Sequence, residues 1–225
     1  MTCSHPCSNW TSRIFGFSTF AASLLWASAW LDAGEITNLT WYSGVASVAG
    51  DVISPPSAPN NDDVAGTSPN FIQVAQKAYH AIGPVDLVFD VVDTGGVTEY
   101  LFLEGVTNFT GVDWSAYRLE LGFGHGVGYV QSLSGDELDF DTPDSNSDVD
   151  FMPFFSTVVV SEDEIQASGG TIPNTASAWP ILFHIDVPDG IESFTIRQSP
   201  IGIPEPTAWI LACLGLMVLV PFRRE

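Results

Sequence analysis

Between residues 136 and 150 the chain carries its densest run of carboxylates, Asp136-Glu-Leu-Asp-Phe-Asp-Thr-Pro-Asp-Ser-Asn-Ser-Asp-Val-Asp150. Asp144, Asn146, Asp148 and Asp150 fall at alternate positions, and Asp139 and Asp141 precede them, so a tight loop could turn six short oxygen-bearing side chains toward one point. Calcium takes six to eight oxygens at roughly 2.3–2.6 Å, and crowded carboxylates with no counter-ion repel one another, so Ca2+ is the cofactor this run would hold. An EF-hand is excluded, because Val149 stands where that loop needs glycine and Phe155 where it needs an acid. Two readings stand: a non-helical calcium loop, or a solvated acidic loop on an already acidic protein.

Other groupings carry less chemistry. Val91-Val-Asp-Thr-Gly95 has the look of an aspartic protease motif, but that reaction needs two carboxylates sharing a proton and the chain holds no second copy. It reads as a glycine turn with a polar first residue. Gly122, Gly124, Gly126 and Gly128 lack the lysine and the strand-turn-helix setting of a phosphate loop, and at period two they would leave bare backbone along one face of a strand. His80, His125 and His184 are scattered, with no metal-binding spacing, and read as structural; no serine sits in a nucleophile elbow. The chain is therefore expected to be non-catalytic.

Charge limits the partners. Residues 35–203 hold 24 of the 27 acids and only three bases, Lys77, Arg118 and Arg197. Such a surface repels phosphate, which excludes nucleic acid and favours cations. Cys3, Cys7 and Cys213 all lie outside that region, so it forms no disulfide and no thiolate metal site.

The ends of the chain read as addresses. Arg13 precedes an apolar run over 14–30 that closes on Ala27-Ser-Ala29, the pattern of a secretory leader over 1–29, with Ala33 as an alternative last residue. At the other end, 207–222 is uncharged, and Arg223 and Arg224 follow. As a helix, these residues would reach roughly 24 Å, short of a hydrocarbon core of about 30 Å, which makes a weak transmembrane anchor. Pro204, Glu205 and Pro206 stand just before it and hold the chain extended beside the membrane.

The order of Pro-Glu-Pro, short apolar helix and basic tail over 203–225 resembles the PEP-CTERM sorting signal of bacterial envelope proteins. The chain departs from that pattern in ending on Glu225 and in carrying Pro221 within the last turn. The resemblance implies a partner, an exosortase-type membrane protease that cleaves at the tripeptide and passes the ectodomain to the cell surface or extracellular matrix. The block 85–123 also resembles ectodomains of the same family.

Positioning falls to short strands. Alternation predicts strands at 35–42, 84–92, 98–108 and 114–123, with Val85, Leu87, Phe89 and Val91 facing away from Asp86 and Asp90. The turn at 93–96 reads as a hairpin joining the second and third of these. Residues 71–79 fit a helix face through Phe71, Val74, Ala75, Ala78 and Tyr79, and a strand through Ile72, Val74, Gln76 and Ala78; strand is expected because everything nearby is β. Further strands are expected at 129–133, 154–161, 180–187 and 193–198. Eight or nine strands with no convincing helix predict an all-β fold, a single antiparallel β-sandwich over 34–200 followed by the C-terminal transmembrane sorting helix.

Two classes of function fit. One is an exported, non-catalytic β-sandwich of the envelope or extracellular matrix, calcium-stabilised and in contact with extracellular polysaccharide. The other is a carbohydrate-binding or carbohydrate-active surface module, motivated by Trp41, Trp114, Trp179 and the many carboxylates. A resident single-pass membrane protein is the remaining alternative.

Overall fold

The computed structural model describes residues 34–53, 70–93, 98–141, 149–151, 154–175 and 179–203. The expected leader, the expected sorting motif Pro204, Glu205 and Pro206, the expected helix at 207–222, and Arg223 and Arg224 lie outside them. So do Asp144, Asn146 and Asp148 of the acidic run. Among the described residues no helix is long and apolar enough to cross a membrane.

The described chain is all-β, with a single helical turn of three residues, Gly126–Gly128. Eleven strands form: β1 (Gly34–Tyr42), β2 (Ala46–Ile53), β3 (Phe71–Tyr79), β4 (Val85–Asp93), β5 (Thr98–Asn108), β6 (Trp114–Phe123), β7 (Val130–Gln131), β8 (Thr157–Val160), β9 (Glu164–Ile172), β10 (Trp179–Val187) and β11 (Ser193–Gly202). A seven-stranded sheet runs β1-β4-β11-β6-β9-β8 with β7 also on β6, and a four-stranded sheet runs β10-β5-β3-β2.

The two sheets share one core. Val85, Leu87, Phe89 and Val91 of β4 point inward, as their alternation predicts, and Phe89 meets Phe102 of β5 edge-on at 5.5 Å. Tyr79 of β3 meets Tyr117 and Trp114 of β6 edge-on at 6.1 and 5.2 Å, and the Ile36 amide of β1 donates to the Tyr100 hydroxyl at 3.0 Å.

Four expectations need correcting. β4 and β5 are not a hairpin: they lie in different sheets, because alternation marks a buried face without saying whether the next turn stays in the sheet or crosses to the other. In consequence β3 and β5 pair in parallel, so the smaller sheet is mixed and not purely antiparallel. The glycine series does not line a strand: β6 stops at Phe123, and Gly124 (φ 72°) and Gly126 (φ 59°) curl the chain into a turn. Finally, β2 and β9 were not expected; Gly169 and Gly170 sit at a register shift in β9, with Gly170 pressed on the Phe154 backbone, and this breaks the alternation.

One bulge decides what enters the core. Val74 pairs with Glu104 and Lys77 with Val106, so β3 spends three steps where β5 spends two. Strict alternation would bury Gln76; the extra residue turns Lys77 inward instead, with Tyr79 after it, both fully buried.

Candidate metal centre

The register of β5 and β10 creates a polar cluster on the face turned away from the core. Tyr100 and Phe102 face Ile185 and Phe183 inward, which leaves Glu99, His184 and Asp186 on the opposite side. Glu99 pairs with Asp186, so its side chain lies diagonal to His184, and a hydrogen bond of 2.5 Å joins His184 Nδ1 and Glu99 Oε1. Both side chains are essentially unexposed.

Asp141 completes the cluster. Phe140 is anchored in the core against Phe183 at 5.9 Å, and its amide donates to the Glu162 carbonyl at 2.8 Å. The next residue, Asp141, adopts a left-handed φ of 48° that a short polar side chain tolerates. Glu99, Asp141 and His184 then offer three ligand atoms within 4.8 Å of one another, all buried. Two carboxylates and one imidazole suit zinc, manganese or iron better than calcium, whose ligands are oxygens alone.

Two other acids of the run, Asp139 and Asp150, form backbone bridges to β10. Asp139 bridges Asp186 and Asp150 bridges Leu182, with Asp150 donating to the Leu182 carbonyl at 2.9 Å and accepting from its amide at 3.1 Å. These bridges cover the outer edge of β10, which would otherwise present unpaired backbone to solvent. Their positions on β10 are four residues apart, roughly 13 Å at strand rise.

A second polar cluster lies on the outer face of the larger sheet. Arg197 of β11 forks onto Asp86 of β4 at 2.7 and 2.8 Å, lies 3.8 Å over the Tyr129 ring, and donates to the Gly126 carbonyl at 2.8 Å. The Gly126 amide donates back to Asp86 at 2.6 Å. The fork to Asp86 raises the guanidinium pKa further. This is the destination of the glycine turn: a clamp of β4 on β11.

Other sequence candidates separate. Asp93 ends β4 and accepts from the Gly190 amide at 3.2 Å, while the rest of its Asp-Thr-Gly motif is outside the described residues. Trp114 is fully buried and donates to Thr110 Oγ1 at 3.0 Å, which removes it as a sugar-stacking platform; Trp41 is 42% exposed. His80 stacks on Phe109 and His125 on Tyr42. The functional signal that sequence spacing missed is His184, 85 residues from its partner Glu99.

No family model matches the chain, and comparison with curated proteins and with solved structures finds no match either.

Proposed function

We propose that the protein is an exported, non-catalytic β-sandwich displayed at the bacterial surface or in the extracellular matrix, sorted by the signal at 203–225. Its two sheets are the layers of the sandwich. An exosortase-type membrane protease is the partner that reads Pro204, Glu205 and Pro206, and envelope polysaccharide is the surrounding material. A divalent cation stabilises the fold, held at Glu99, Asp141 and His184 or along the acidic run.

The observation that supports this reading is the placement of β11. It ends at Gly202, just before the tripeptide, and from Thr195 to Gln198 it is paired on both sides, by β4 and β6. Gly34 pairs with Asp93 and Ser193 with Asp90 at one end of the sheet, whereas Tyr42 pairs with Asp86 and Gly202 with Trp114 at the other. The described strands therefore begin, at Gly34, and finish, at Gly202, at opposite ends of one sheet along the strand direction. Force on a tethered tail would load β11 lengthwise, against many backbone hydrogen bonds at once, as suits a display domain.

The test is a Pro204→Ala, Pro206→Ala double variant expressed in a host that carries the protease. The variant should stay in the membrane fraction with its tail attached while the parent is released. Equal release of both would refute the reading.

A further inference from the structure

Deep between the sheets lies a polar group that the display function does not use. Lys77 of β3 and Glu104 of β5 are both fully buried, with Nζ 2.5 Å from Glu104 Oε2. Gln198 of β11 crosses from the other sheet, and its Nε2 donates to both Glu104 oxygens, at 2.9 and 2.7 Å. The shorter of those contacts is to Oε2, so the amine and the amide nitrogen sit on the same carboxylate oxygen. On the far side of the amide, Tyr117 of β6 donates to Gln198 Oε1 at 2.8 Å, and Tyr79 lies 2.9 Å from the Tyr117 hydroxyl.

We propose that Lys77 and Gln198 are joined by an intramolecular isopeptide bond, formed by the protein itself with Glu104 as its catalytic residue. The groups the reaction needs converge: the amine and the amide nitrogen share Glu104 Oε2, and Tyr117 holds the amide oxygen. An amine attacks an amide only as the free base, and burial pushes Lys77 toward that form against the pull of Glu104. A buried ammonium would require three acceptors, yet among the described residues Nζ has no well-formed hydrogen bond, only its contact with Glu104. Tyr117 donates where negative charge grows on the carbonyl oxygen, and burial keeps that hydroxyl protonated.

The atoms balance without an oxidant or co-substrate. Nζ adds to Gln198 Cδ, and the C–N bond forms as the carbonyl electrons move onto Oε1, held by Tyr117. Glu104 takes the proton released by Nζ and delivers it to Nε2, which it already touches. The Cδ–Nε2 bond then breaks, ammonia leaves, and the carbonyl re-forms as a secondary amide between the two side chains. No group is oxidised or reduced. Lys77, Glu104, Gln198 and Tyr117 are all buried, and shielding the amide from bulk solvent favours this outcome over hydrolysis. The product would tie β11, the strand nearest the sorting tripeptide, to β3 of the opposite sheet. The bond does not depend on where the protein resides.

The experiment is the intact mass of the purified, folded full chain, followed by proteolysis and sequencing of any branched peptide. The expected result is a mass lower than the sequence by one ammonia, with Lys77 and Gln198 in one branched peptide. A mixture of the two masses that converts with time supports it equally. Lys77→Met and Glu104→Gln should keep the full mass. The proposal is overturned if the folded wild-type chain has its full mass, or if the lost ammonia maps to any site other than the Lys77–Gln198 pair. Because the wild-type mass decides the matter, a variant that fails to fold leaves the proposal testable.

Discussion

Gln198 and Glu104 lie in different sheets, on β11 and β5, and are joined through the core by two hydrogen bonds of 2.9 and 2.7 Å. A carboxylate this deep is tolerable only because Lys77 and Gln198 both meet it; alone it would carry a large desolvation penalty. Polar groups thus cross the interface at the point where an ordinary β core would be apolar.

Removing the carboxylate strands the amine. Glu104→Ala should lower unfolding stability by about 1–3 kcal/mol, the usual cost of leaving buried polar groups, here the Lys77 amine and the Gln198 amide, without their acceptor. The double change Lys77→Met with Glu104→Leu should recover part of that loss, since it leaves no buried charge behind. Urea unfolding of the three proteins measures both effects.

The outer clamp predicts a smaller and more selective loss. Arg197→Lys keeps the charge but not the fork onto Asp86, nor the planar face over Tyr129. A decrease of about 1.5–3 kcal/mol in urea unfolding is expected, the worth of hydrogen bonds to a charged group. A loss no larger than that of an exposed substitution would mean that the Asp86 pair is merely a surface contact.

Alkaline pH should unfold the protein through its tyrosines. Burial pushes Tyr100 up to about 12 from its ordinary value of 10, and raises Tyr79, Tyr117 and Tyr129 as well. Above pH 10 the unfolded chain loses phenolic protons that the folded chain keeps, so stability is complete below that pH and falls as pH rises toward 12. Absorbance of ionised tyrosine should therefore rise together with loss of folded signal. Full ionisation of these four rings before unfolding would contradict their burial.

Cation binding separates two groups of acids. Zinc or manganese should raise the melting temperature through Glu99, Asp141 and His184, and a ligand at a hundred times its dissociation constant adds about 2.7 kcal/mol. Asp141→Asn should weaken that response. A calcium response that survives Asp141→Asn would belong to Asp144, Asn146, Asp148 and Asp150. If melting is indifferent to all three metals, neither group holds a cation.

How much of this was legible in the sequence depends on how local each feature is. The period-two patterns of β4, β5 and β6 report their buried faces directly, since one face of each strand is core. Which sheet a strand joins is set by partners far along the chain, so the turn between Asp93 and Thr98 could not reveal that β4 and β5 part company. Residues 71–79 looked half-helical for a physical reason: the bulge before Lys77 shifts the buried face by one residue, and no regular period survives it. The same bulge hid Lys77 as a core residue. Asp141 stood out by its acidic neighbours, whereas Glu99 and His184 sit singly on apolar strands and become a cluster only through the β5–β10 register.

The most direct measurement is the intact mass of the protein recovered from its native cell envelope and culture medium. The account predicts a chain that begins between Trp30 and Gly34, ends between Pro204 and Pro206, and is found at the surface or in the medium. A chain that still carries Arg223 and Arg224 and stays in the membrane fraction would contradict sorting and identify a resident membrane protein.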